Sequence, residues 1–230
     1  MSASATTRVV VAVEGNIGAG KSTFLRAAAA DLAAATGRPV VAVPEPVGAW
    51  TDVGGHNPLA AFYADPRRFA FTFQTLALAS RIVELRKAVA ASPPDALVLC
   101  ERSLQSDHLF ADNCRDTGYF SPMESAIYDL WWAAVSAMAP ECQPDVVVYV
   151  RTPPTVCAAR VDARNRREEC APKSALDVGY LAQLDALHEE YCAGALVLDG
   201  NVDYAADAAA RLRAVQQIAA GCADAGSATR

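Results

Sequence analysis

Five short apolar runs recur along the chain, at 9–14, 40–43, 96–100, 145–150 and 195–198. Their unbroken hydrophobicity predicts parallel strands buried on both faces, whereas a strict alternation would predict strands wet on one side. Between them the apolar positions fall at helical spacing, predicting helices over 23–36, 58–63, 66–91, 104–114, 122–138, 153–164, 176–192 and 205–220. The punctuation agrees with these bounds. Gly37 and Pro39 stop the first helix, Asp65-Pro66 opens the long one, Pro93-Pro94 closes it, and Ser121-x-x-Glu124 is a capping box. The stretch 47–57 reads as a polar loop, and 222–230, after Gly221, as a frayed and disordered tail. Strands alternating with helices define an α/β fold, a five-stranded parallel sheet covered by helices on both faces. No linker or repeat interrupts it, so 1–230 reads as a single domain.

The junction of the first strand and first helix carries the most specific signal. Gly15-Asn16-Ile17-Gly18-Ala19-Gly20-Lys21-Ser22, followed by Thr23, fills every fixed position of G-x-x-x-x-G-K-[ST] in its required strand–loop–helix setting. Glycines let the backbone curl so that its N–H groups face inward as a nest for phosphate oxygens. The helix start adds unpaired N–H groups and the positive end of its dipole. Lys21 supplies a mobile charge for the outer phosphates, and the Ser22 hydroxyl is a natural Mg²⁺ ligand. The chain is therefore expected to bind a nucleoside triphosphate.

Composition narrows the classes. At 230 residues, with 53% apolar and 20% charged, the chain suits one sizeable globular domain. A net charge of −6 argues against a broad nucleic-acid surface, which needs a basic face. No apolar run approaches a membrane span, and the small polar start before Arg8 leaves no room for a signal peptide's apolar core. Seven scattered cysteines without a C-x-x-C read as reduced thiols rather than a zinc site, so the cytoplasm is the expected compartment.

In parallel sheets ligands sit at the carboxyl ends of the strands. Those ends carry Glu14-Gly15, Glu45, Glu101-Arg102, Arg151 and Asp199, and an Arg/Glu-rich patch spans 160–169. The guanine-reading N-K-x-D of GTPases is absent. A carboxylate, an acid–arginine pair and further arginines suit phosphoryl transfer to a small acceptor. A nucleoside monophosphate kinase on the same scaffold is the enzymatic rival, and a nucleotide-binding switch is the non-enzymatic one.

Several separated motifs now add up. They are Glu14 through Ser22, Glu45-Pro-Val-x-x-Trp50, Tyr63-x-Asp-Pro66, Phe71-Thr-Phe-Gln-Thr75 leading to Ser80-Arg81, Glu101-Arg-Ser103, and the Arg/Glu pattern from Arg160 to Glu169. Together they resemble the deoxyribonucleoside kinases over nearly the whole chain. The resemblance implies a P-loop kinase fold with a short Arg-rich lid at about 160–175, using ATP and Mg²⁺ to phosphorylate the 5′-hydroxyl of a deoxynucleoside. It implies Glu45 as general base, with Arg102 and Lys21 at the transferring phosphate. Glu101 would join Ser22 at Mg²⁺, and Arg160, Arg164 and Arg166 would close over the phosphates. Trp50, Phe73 and Phe110 would line the nucleoside pocket, Gln74 would read the base edge, and Tyr63 and Glu169 would hold the 3′-hydroxyl. Arg81 and Asp107 match the pair that marks the deoxycytidine and purine branch, against a thymidine-preferring or broad-specificity alternative. Asp107-His-Leu-Phe110 is one residue shorter than the corresponding segment of the mammalian-type enzymes. A homodimer is also implied, through the long helix and the helix bearing Trp131-Trp132.

Overall fold

A computed structural model describes residues 7–166, 168 and 176–227. In chain order the elements are β1 (Val9–Glu14), α1 (Lys21–Thr36), β2 (Val40–Val43), α2 (Val47–Thr51), α3 (Pro58–Ala64) and α4 (Pro66–Ala91). Then follow β3 (Leu97–Glu101), α5 (Leu104–Asp116), α6 (Pro122–Met138), β4 (Val146–Arg151), α7 (Pro154–Arg164), α8 (Val178–Tyr191), β5 (Leu196–Asp199) and α9 (Ala208–Ser227). The five strands form one sheet in the order β2-β3-β1-β4-β5, with every neighbouring pair parallel.

Strand alternation explains the layering. Val9, Val11 and Val13 of β1 point into a core shared with Phe24 and Leu25 of α1 and with Val215 and Ile218 of α9. Val10 and Ala12 point the other way, into a core built with Phe73 and Leu85 of α4, Leu104 of α5 and Tyr128 of α6. All six residues of β1 are buried, as its unbroken apolar run predicts for a central strand. The chain lays β2 and β3 on one side of β1, then β4 and β5 on the other. That reversal opens a crevice above the carboxyl end of β1.

Two expectations are corrected. The presumed loop after β2 contains the five-residue helix α2, which carries a buried Trp50. The presumed tail is helical through Ser227, and Cys222 within it is buried. Gly221 does not stop this helix. A Cβ there would sit 3.3 Å from Leu196 Cδ1, so the missing side chain lets α9 lie closely on the sheet. Among the described residues the cysteines are free and buried, and no helix is long and apolar enough to cross a membrane.

Candidate active site

The P-loop is keyed into the core beneath it. Gly15 has φ 141° and Gly18 φ 80°, and added Cβ atoms would lie 2.6 Å from Val150 O and 2.5 Å from Cys157 O. Both positions therefore require glycine for conformation and for space. Asn16 acts as a strut: its Nδ2 donates to Leu181 O of α8 at 2.8 Å, and its Oδ1 accepts from Ile17 N at 2.8 Å. Ile17 through Thr23 line a cavity of about 630 Å³, whereas Gly15 and Asn16 lie outside its wall. Lys21 is 4% exposed and donates to the Asn16 carbonyl at 2.8 Å. Burial, reinforced by the charge of Arg102, pushes its ammonium down to about 8. Ser22 Oγ donates to Glu101 Oε1 at 2.9 Å. A hydroxyl and a carboxylate side by side are hard oxygen donors that fit Mg²⁺. Among the described residues no cluster of three His, Cys, Asp or Glu exists to hold a metal alone.

The part of the cavity across from the P-loop starts from Glu45, two residues past β2. Its Oε1 accepts from Arg102 Nε at 2.8 Å and lies 3.5 Å from Arg81 Nη2. Burial alone would raise this carboxyl, but Arg102, Arg81 and Lys21 together hold it down at about 2. Arg102 follows β3 with φ 68°, a left-handed conformation rare for a non-glycine residue, and its backbone N–H donates to Val13 O at 3.0 Å. The turn aims its guanidinium into the crevice, over the Phe110 ring at 4.6 Å from the centroid. Asp107 and Phe110 are three apart on α5 and thus share a face, so the shortened segment still brings both to the cavity.

Arg81 joins the halves of this site. Its Nε lies 3.0 Å from both oxygens of Asp107, and its Nη1 donates to the backbone carbonyl of Glu101 at 3.2 Å. Burial pushes the Asp107 carboxyl up to about 6 against the opposing pull of Arg81. Trp50 is fixed by Nε1 donating to Ser80 Oγ at 2.8 Å and by an edge contact with Phe73. Tyr63, Phe73 and Gln74 line the same cavity. Glu14 turns away from it and accepts from Ser103 Oγ at 2.6 Å, steadying the N-cap of α5.

Only part of the segment expected to form a lid lies within the described residues. Arg160 donates from Nη1 to Ala19 O at 3.2 Å and Gly200 O at 2.8 Å, tying the P-loop to the turn after β5. Arg164 and Arg166 line the cavity, while Glu169 and most of 167–175 lie outside the described residues. Sequence reasoning missed the far wall, formed by Val202, Asp203 and Tyr204 beyond β5. The strand-end rule pointed to Asp199, three residues short of it. Phe62 and Tyr180 also line the cavity without any local signal in the sequence.

A phosphate-binding loop facing a carboxylate between two arginines, with an aromatic pocket beyond, defines a P-loop phosphotransferase acting on a small acceptor. Residues 11–223 match the sequence model of the family described as Deoxynucleoside kinase, and the chain belongs to that family. It is 32% identical over 201 residues to deoxycytidine kinase 2 of Gallus gallus, covering 79% of this chain and 72% of that relative. Identity to deoxycytidine kinase of Homo sapiens is 30% over 202 residues, covering 79% and 74%. Thymidine kinase 2, mitochondrial, of Homo sapiens is 31% identical over 185 residues, covering 79% of this chain and 63% of that relative. The protein is a deoxynucleoside kinase, an enzyme that phosphorylates a deoxynucleoside with ATP as donor.

Proposed function

We propose that the enzyme phosphorylates the 5′-hydroxyl of deoxycytidine or a purine deoxynucleoside, for nucleotide salvage. The observation that carries this is the buried Arg81–Asp107 pair beside Gln74 in the acceptor cavity. A fixed guanidinium, carboxylate and carboxamide offer donors and acceptors to an amino-bearing base edge. Glu45, ionised at any working pH, accepts the hydroxyl's hydrogen bond and takes its proton as the new O–P bond forms. Arg102 and Lys21 balance charge on the transferring group as the bond to ADP breaks. Ser22 and Glu101 would hold Mg²⁺, which neutralises donor phosphate charge when bound. The donor base would lie toward Val202, Asp203 and Tyr204, on the far side of the P-loop from the aromatic pocket. Tyr63 would meet the sugar 3′-hydroxyl.

A phosphorylation panel over the four deoxynucleosides and two ribonucleosides tests this reading. Thymidine turned over faster than deoxycytidine and both purines would overturn it. The thymidine kinase 2 relative, matched at nearly the same identity, makes thymidine the second reading. A homodimer is part of the proposal. Met123, Leu130, Trp131 and Met138 of α6 are all more than half exposed, an apolar face that a second copy would cover. Light scattering on the eluting protein gives the mass.

A further inference from the structure

We propose that His188 is a positioning residue for phosphoryl transfer, a neutral hydrogen-bond acceptor that sets the guanidinium of Arg102 against Glu45. The inference rests on the role given above to Arg102. His188 lies on α8, is fully buried, and is remote in sequence from every motif of the site.

Two contacts fix its tautomer. Nδ1 lies 2.7 Å from the Leu184 carbonyl, which can only accept, so Nδ1 carries the proton. Nε2 then presents a lone pair, 3.3 Å from Arg102 Nη1, and a guanidinium can only donate. Burial, followed by the charge of Arg102, pushes the imidazole down to about 3, so it stays neutral. The ring is held in place by Tyr149, nearly parallel at 6.3 Å, and by Phe110 edge-on at 6.2 Å.

Arg102 is thus constrained at three points. Phe110 sets the plane of its guanidinium, Glu45 takes Nε, and His188 takes Nη1. A long cationic side chain fixed before substrate arrives need not be ordered on the way to the transition state. The chemistry also explains why the acceptor is a neutral imidazole. A carboxylate there would compete with Glu45 for Arg102 and draw the cation away from the acceptor hydroxyl.

The test compares two amide substitutions. In His188→Gln the Oε1 falls near the place of Nε2 and restores the acceptor; kcat should stay within about threefold of wild type. His188→Asn reaches only the Nδ1 position; kcat should fall on the order of tenfold, with KM for ATP and nucleoside within about threefold. In an Arg102→Lys background, His188→Asn should cost less than about threefold more. Equal damage from Gln and Asn, or a full further loss in the Arg102→Lys background, overturns the proposal and leaves His188 a packing residue. An Arg102→Lys enzyme with undiminished kcat overturns instead the role of Arg102 on which it rests. If His188→Asn does not fold, His188→Leu, similar in shape and without an acceptor, is read in its place with the same expected loss.

Discussion

Replacing Glu45 by glutamine removes the one negative charge shared by Arg102 and Arg81 while keeping the side chain's shape. The carboxyl is held at about 2 against an ordinary 4.5, so the ionised form gains at most about 3 kcal/mol from its surroundings. A folded-state value below the unfolded one means that this stabilisation is complete above about pH 4.5. It is lost as the pH falls toward 2. At pH 7 Glu45→Gln should therefore lower the melting temperature by up to about 6–12 °C, taking about 2–4 °C per kcal/mol for a chain of this size. The two melting curves should converge in acid. Turnover should suffer more than stability, because the amide cannot take the proton; a loss of about a hundredfold or more in kcat is expected, with nucleoside KM little changed. Steady-state kinetics and scanning calorimetry on the same preparations give both readings. A kcat within threefold of wild type would remove Glu45 as the proton acceptor, and a melting difference that persists unchanged to low pH would refute the electrostatic account.

The remaining expectations concern recognition and the donor. Replacing both Arg81 and Asp107 with smaller neutral residues should raise the ratio of thymidine to deoxycytidine turnover, and an unchanged ratio in competition assays would sink the specificity argument. Asp107 loses its charge as the pH falls through about 6, so nucleoside KM should rise below that pH while kcat, tied to Glu45, holds. Its folded-state value lies above the unfolded one, so this titration costs recognition and not stability; a flat KM from pH 7.5 to 5 would contradict it. Lys21, held at about 8 when no phosphate faces it, should regain a proton as triphosphate binds near pH 8. Calorimetric titrations in buffers of different ionisation enthalpy would detect the uptake, and a buffer-independent binding heat would argue against it.

The parts of this fold and site that could be read in advance are those encoded within a few residues. The strands announced themselves because parallel strands buried on both faces must be continuously apolar, and the P-loop because its glycines and Lys21-Ser22 are fixed by local geometry. Glu45 and Arg102 were legible as charged residues at strand ends. Helix α2 was not, since five residues containing Gly48 are too few for periodicity, and the packing of Trp50 on Phe73 and Ser80 decides it. Gly221 looked like a helix stop, yet its smallness serves a close approach to Leu196. The side-chain role of Asn16 within the phosphate loop was not legible either, because it donates to a carbonyl 165 residues away. His188 and the wall at Val202–Tyr204 gain their meaning only from elements that tertiary packing brings beside them.

Glu101 ends the strand next to β1, and its side chain and backbone face different halves of the site. Its carboxylate meets Ser22 and lies 3.9 Å from Lys21 on the P-loop side, while its backbone carbonyl receives Arg81 on the side of the aromatic pocket. For the reaction proposed above, the span a phosphoryl group crosses would be gauged by the covalent dimensions of a single residue, itself locked in the sheet. In the proposed reaction the interval between donor and acceptor is thus set in the strand before either substrate arrives.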